Sequence, residues 1–526
     1  MKMSFVTFVK NKSTFFENNT LLSLFMIGIA GFVLRLYFFD FNMPVNNDAL
    51  GFFFYASDTS FLGSLPPNYT PGNNGWPAFL SVIFSLVKLE DTISYMNIQR
   101  LTSILFSVFT IIPIFYLCNR FFEKKYCIIG ACIFVFEPRL VQNSLLGITD
   151  PLYIFLLTTS LALFLSSSNK IIYSSFIFSA LATIVRSEGL FLFLALSIVF
   201  FIRFRKNKMV IPKYFLVLTI FALILFPMAL YKIDATGTDN MVMRIFTSAS
   251  NFSENNSADN QKSSASIIIG FENFPKYLLW DLIPIFIFFV PFGFLMIFRN
   301  IDYRSLTLFS SLFVMALPAF YAYSIPLPET RYFYFLYPLF CVLSLYPIRK
   351  LVNKFDKQNI ALLLIISIFI ISTIFLGFKM DTSHEKDAFL IAKHVSALAT
   401  GANQYPPESI YLETTDIPSK WSDFKNYFLG ERIPNTPMRT TIEHKTKLFS
   451  LEKFDSLENF ISFNHDKGLS HLIVDDKNTR PDFLSDVFFH EEKYPFLIKE
   501  FDSGDLNFTY HVKIFKIDYN KFEKND

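Results

Sequence analysis

The chain has 526 residues, 52% of them hydrophobic and 18% aromatic, with a mean hydropathy of +0.38. Over that length such a composition excludes an ordinary water-soluble protein. Its repeated apolar runs, about 15 to 22 residues long, are of the length that crosses a bilayer core, so the chain reads as a polytopic α-helical membrane protein. The net charge of only +3 gives no electrostatic basis for nucleic-acid binding.

Eleven apolar runs are predicted to cross the membrane: Leu21–Phe39, Ile98–Leu117, Tyr126–Leu140, Thr149–Leu165, Ile171–Val185, Leu190–Phe204, Tyr214–Tyr231, Tyr277–Phe298, Ser305–Tyr323, Tyr332–Ile348 and Ile360–Phe378. The first is too long for a signal-peptide core and no small-residue cleavage pattern follows it, so it is read as a retained helix. The loop after it, Phe39 to Trp76, carries Asp40, Asp48 and Asp58 with no Lys or Arg. The short apolar segment Pro77–Leu89 is expected to be an interfacial helix inside the first outer loop, before the second span. The four cysteines, Cys118, Cys127, Cys132 and Cys341, lie in or beside apolar runs, and no disulfide framework or zinc spacing follows.

Charge sets the expected orientation. With the N-terminus inside, the inner loops hold Arg120, Lys124 and Lys125, then Lys170, then Arg203, Arg205, Lys206, Lys208 and Lys213. Arg299 and Arg304 follow, then Arg349, Lys350, Lys354 and Lys357, whereas the first outer loop holds only Lys88. This is the positive-inside pattern. It places the N-terminus in the cytoplasm and residues 379–526 outside it, in a multi-pass protein of the cell membrane.

The outer ends of the runs collect ionisable residues: Glu137 and Arg139 in FEPR, Asp150 in GITDPL, Arg186 and Glu188 in VRSEGL, and Glu329 and Arg331 in LPETRY. Charges at that depth mark a functional site or a structural pairing, such as Arg139 with Glu137 or Arg186 with Glu188. Three arginines and four acids on one face favour a site. Asp234 to Asn273 reads as a larger, mobile outer loop rich in Ser and Asn. Residues 379–526 are soluble in composition and sufficient for one α/β domain, with helical periodicity over Asp387–Leu398 and strands over Ser409–Glu413, His471–Val474 and Thr509–Ile517. Asp475 and Asp476 follow a strand and read as surface acids rather than metal ligands.

In order along the chain stand an outer-loop Asp, a PG-x-x-x-WP turn, an E-P-R and T-D-P-L pair, an R-S-E-G-L turn and the late E-T-R-Y-F-Y-F-L-Y-P. Together these resemble the GT-C integral-membrane glycosyltransferases, on the branch of dolichyl-phosphate-mannose protein mannosyltransferases and aminoarabinose lipid transferases. The resemblance covers roughly Leu21 to Ile348. It implies residues 1–378 as a GT-C-like domain that transfers a sugar, with inversion, from a polyprenyl-phosphate donor to a protein, lipid or glycan acceptor. Asp48 matches the implied general base, a carboxylate able to take the acceptor proton. Family members often have Asp-Glu there, whereas this chain has Asp48-Ala49, which leaves Asp58 as a rival base.

Arg186 and Arg331, with Arg139 beside them, match positions of the kind that hold the departing lipid phosphate. Glu137, Asp150, Glu188 and Glu329 are supporting acids. No cofactor is required, and a divalent metal is not indicated. The Trp-Trp-Asp-Tyr-Gly signature of oligosaccharyltransferases is absent; Trp421-Ser422-Asp423-Phe424 is a poor substitute. The competing class is a transporter or lipid flippase. It fits less well, since transporters place polar groups near the bilayer midplane and often repeat their halves.

The orientation has a direct check. In a Ser450→Cys variant, an impermeant thiol reagent should label intact cells. Labelling only after permeabilisation would invert the topology.

Overall fold

In the computed structural model the first apolar run forms helix α1 (Thr20–Tyr37), which buries Ser23, Ile27, Gly28, Gly31, Leu34 and Arg35 along one stripe. Its opposite face exposes Leu21, Phe25, Ile29 and Val33. A helix that is apolar all round is stable where lipid replaces water, and then small and polar residues mark the protein-facing side. The structure describes residues 19–45, 47–65, 74–87, 89, 92–237, 267–298, 302–325, 329–355, 359–383, 385–387, 389–391, 410–413, 446–447, 454–476 and 481–524.

The helices that follow are α2 (Asn47–Leu62), α3 (Gly75–Leu86), α4 (Thr92–Phe109), α5 (Ile111–Cys118), α6 (Lys124–Val135), α7 (Pro138–Leu145), α8 (Asp150–Phe164), α9 (Asn169–Val185), α10 (Gly189–Phe204) and α11 (Val210–Thr236). They continue with α12 (Ile267–Asp281), α13 (Val290–Ile297), α14 (Tyr303–Ser324), a 3-10 helix (Thr330–Leu336), α15 (Tyr337–Phe355) and α16 (Asn359–Lys379). Each predicted span overlies at least one helix. Among the described residues six helices are long and apolar enough to cross a membrane, or up to seven if the bent pair α6–α7 counts as one, against the eleven expected. The helices at Asp150–Phe164, Asn169–Val185 and Gly189–Phe204 are apolar but shorter.

Two predicted spans are broken. The run Tyr126–Leu140 bends by 49° between α6 and α7, because Pro138 has no N–H to give and forces Glu137 into extended backbone. The run Tyr277–Phe298 is two helices, α12 and α13, separated by turns over 282–289. The expected loop Asp234–Asn273 is bounded more tightly, since α11 reaches Thr236 and α12 begins at Ile267. What lies between, over 238–266, is outside the described residues, as are Trp421–Phe424 and most of Asp387–Leu398.

Arg35 ties four helices together. Its Nε donates to Ser144 Oγ at 3.0 Å, Nη1 to the Gly31 and Val135 carbonyls at 3.0 Å each, and Nη2 to Ser107 Oγ at 2.9 Å. The side chain is wholly buried, so each donor must find an acceptor inside the protein. Gly31 permits this, because a Cβ there would lie 2.1 Å from Val135. Arg100 similarly donates to the carbonyls of Leu145 (2.9 Å) and Asp40 (2.7 Å) and covers the Phe39 ring.

The chain divides into two compact units: Met1–Asp40, Gly51–Lys88 and Met96–Met380 form one, and Phe41–Leu50, Leu89–Tyr95 and Asp381–Asp526 the other. The second contains a five-stranded sheet of β1 (Ile410–Glu413), β2 (Thr446–Lys447), β3 (Leu469–Asp475), β4 (Leu497–Asp502) and β5 (Val512–Ile517), in the order β2-β1-β3-β5-β4. The pairs β1–β2 and β1–β3 are parallel, and β3–β5 and β4–β5 antiparallel. Helices α17 (Leu457–His465) and α18 (Asp482–Phe489) close a core of Phe460, Ile461, Leu472, Val487 and Phe515. Asp475 accepts a 2.7 Å hydrogen bond from the Tyr510 hydroxyl, which gives it a structural partner. Burial pushes the His471 imidazole below its ordinary value, against the raising effect of Glu500 at 3.2 Å.

Arg35→Ala should remove all four hydrogen bonds, three of them to other helices, and leave a cavity. It should cost about 3 kcal/mol or more, read as a lowered unfolding midpoint in detergent, with Arg35→Lys intermediate.

Candidate active site

The motif G-I-T-D-P-L opens on Gly147, whose φ of +76° is easy only for glycine. Its carbonyl accepts from Trp76 Nε1 at 3.0 Å and from Gln99 Nε2 at 2.7 Å. The tryptophan of the WP turn thus pins the loop that starts α8. Asp150 and Pro151 form the first turn of α8, where a carboxylate is favoured by the helix dipole and a proline loses no hydrogen bond.

Arg186 caps the C-terminus of α9 in extended backbone, and Glu188 caps the N-terminus of α10. The R-S-E-G turn joining them is tight. A Cβ on Gly189 would lie 2.5 Å from the backbone nitrogen of Thr183, so only glycine fits. The turn delivers Arg186 to two acids. Nη1 pairs with Asp150 Oδ1, and Nη2 meets Glu188 Oε1 at 2.6 Å. The other oxygen of Asp150 accepts from Asn143 Nδ2, on α7, at 3.0 Å. Arg186 and Asp150 are both buried. The Arg186–Glu188 pairing foreseen from the sequence is present, but Asp150 is the deeper partner. Tyr153, one turn into α8, lies under the guanidinium with its ring centre 5.9 Å from Cζ.

Arg139 is held differently from its expected pairing with Glu137. Its Nε faces Asp281 Oδ1 at 3.6 Å, and Nη2 donates to the Trp280 carbonyl at 2.6 Å. The reason is the bend at Pro138, which turns α7 away from α6 and aims Arg139 at the end of α12. Glu137 is 0% exposed, and its carboxylate faces the backbone N–H and the charge of Arg139 without a side-chain ion pair to it. Asp281, also fully buried, was missed in the sequence. The signal was an acid inside an apparent span, three residues before Pro284. Arg35 and Arg100 were missed for the same reason.

Arg331 lies in the first turn of the 3-10 helix, which packs against α7, α8, α12, α14 and α15. Its Nε meets Glu329 Oε2 at 2.5 Å, with side chains 26% and 50% exposed respectively. The neighbouring Tyr332 phenol lies within electrostatic reach of Arg331, Glu329, Arg186 and Glu188. The two arginine pairs therefore belong to one electrostatic cluster. Asp48 is exposed in the first turn of α2. Asp58, on the same helix, is buried. Among the described residues no cluster of His, Cys, Asp or Glu has the geometry of a metal site.

No family model matches the sequence, and no curated protein matches it. Solved structures do. ArnT from Cupriavidus metallidurans in the apo state aligns with TM-score 0.58 at 11% identity, covering 93% of this chain and 97% of that one. The same protein bound to undecaprenyl phosphate gives 0.59 at 9% identity with the same coverage. The Archaeoglobus fulgidus oligosaccharyltransferase tethered to an acceptor peptide gives 0.54 at 13% identity, covering 94% and 74%. The chain shares its fold with ArnT and with the oligosaccharyltransferase, which fits the resemblance carried by the motif order.

Asp150→Ala would leave the buried Arg186 with one partner and the Asn143 amide with none. It should cost about 3–5 kcal/mol, measured by thermal unfolding in detergent. Glu188→Ala should cost clearly less, since that carboxylate is partly exposed.

Proposed function

We propose that this protein transfers a sugar from a polyprenyl-phosphate carrier to a hydroxyl of a protein, lipid or glycan acceptor, at the extracytoplasmic membrane face and with inversion. In this reading eleven segments cross the membrane, the N-terminus is cytoplasmic and residues 379–526 are extracytoplasmic. The observation that carries it is the cluster of Arg186 and Arg331, each meeting a carboxylate two residues away in its own turn. The fold is shared with a protein whose structure holds undecaprenyl phosphate. A planar guanidinium suits a phosphate oxyanion bidentately.

In the proposed reaction the acceptor oxygen attacks the anomeric carbon from the face opposite the phosphate. The bond from that carbon to the phosphate oxygen breaks, and its electron pair leaves with the lipid phosphate. Asp48 takes the acceptor proton as the new bond forms. Arg331 and Arg186 stabilise the charge that builds on the leaving phosphate. Arg139 is the third candidate for that role, and Asp150, Glu188, Glu329 and Glu137 are supporting acids. Asp48 is preferred to Asp58 as base because it is exposed and an acceptor can reach it. No metal or cofactor enters this scheme.

Asp48→Asn keeps size and capping ability but cannot accept a proton at neutral pH. It should lower turnover roughly 100-fold or more with an unchanged melting temperature. Near-wild-type turnover in Asp48→Asn together with loss in Asp58→Asn would move the base to Asp58. Arg331→Lys should weaken donor binding about tenfold, the loss of one charged hydrogen bond. Unchanged donor affinity in both Arg331→Lys and Arg186→Lys would reduce the arginines to structural pairs.

A further inference from the structure

Arg186, Arg331, Asp150, Glu188 and Glu329 present two guanidinium groups against three carboxylates. A phosphate that binds either guanidinium has to take the place of one of these carboxylates. The three differ in how firmly they are held.

Asp150 cannot leave. It is buried, paired with Arg186 on one oxygen and bound by Asn143 on the other. Removing it would strand two buried polar groups. Glu188 is 16% exposed, and its second oxygen lies 3.4 Å from Ser187 Oγ in the same turn. Glu329 differs from both. Half of its side chain is exposed, it makes no capping bond to the 3-10 helix it precedes, and it is paired with Arg331. Moving it into solvent costs one exposed ion pair, worth little in water. The same movement uncovers the Arg331 Nε, on the edge a phosphate oxygen would take.

We propose that Glu329 is an exchangeable counter-ion. It occupies Arg331 in the empty site and is displaced by the phosphate of the donor lipid. The idea rests on the donor-site reading above and adds a residue whose carboxylate competes with the substrate. In the empty protein the carboxylate covers the Nε edge of the Arg331 guanidinium, and a phosphate oxygen would take its place there.

The test is a double-mutant cycle on the full-length protein in detergent at low ionic strength. The probe is a short-chain polyprenyl phosphate, with the matching neutral polyprenol as control. Binding is followed by intrinsic fluorescence, and folding by the melting temperature. Glu329→Gln should tighten polyprenyl phosphate binding about two- to fivefold, the strength of the exposed pair it removes. In the Arg331→Lys background the same substitution should give no such gain. A gain of equal size in both backgrounds would mean only a general loss of negative charge and would overturn the proposal. So would a gain for polyprenol, or no gain at all. If Arg331→Lys weakens binding while Glu329→Gln does nothing, the counter-ion idea fails and the donor site stands. If neither Arg331→Lys nor Arg186→Lys alters binding, the donor-site reading fails with it.

Discussion

A guanidinium surrounded by helices cannot be left bare, and much of the first unit is arranged around that constraint. Transferring an unpaired charge into an apolar interior costs far more than the few kcal/mol that stabilise a fold. Each buried arginine is accordingly surrounded by acceptors drawn from several elements. Arg186 gathers Asp150 from the start of α8, with Asn143 of α7 behind it, and Glu188 from the start of α10. Arg35 gathers two hydroxyls and two carbonyls from α1, α4, α6 and α7. Where apolar contact distinguishes poorly between helix faces, these directional bonds specify which helices meet and at what height.

Backbone geometry supplies the positions from which those bonds are made. Pro138 breaks the third apolar run and swings Arg139 from its chain neighbour Glu137 to Asp281. Gly189 lets the turn between α9 and α10 close against Thr183, and Gly147 takes a left-handed conformation under Trp76 and Gln99. The motifs that read as separate signatures are therefore mechanically connected. The tryptophan of one loop holds the glycine of the next, and that glycine precedes the aspartate that meets Arg186.

The arginines differ in how tightly they are committed. Arg139 is bound by Asp281 and backbone carbonyls, and Arg186 by one deep and one shallower carboxylate. Arg331 meets a carboxylate that is half exposed. Burial grades them from fixed scaffold to adjustable group. In the proposed transfer reaction this places Arg331 at the point where the incoming phosphate meets least competition.

The helical character of the apolar runs, the short helix predicted over Pro77–Leu89 and the acids and arginines at the run ends were legible in the sequence, because hydropathy and chain position are local properties; the number of spans was not. The R-S-E spacing foretold the Arg186–Glu188 contact for the same reason, since residues two apart in a tight turn meet regardless of the rest of the fold. What tertiary structure alone decided is every partner distant in sequence: Asp150 for Arg186, Asp281 for Arg139, and Ser107, Val135 and Ser144 for Arg35. Such pairings follow from which helices lie side by side. Apolar runs of similar composition carry little information about that, so a buried arginine or aspartate within a run shows that a partner is needed without showing which one.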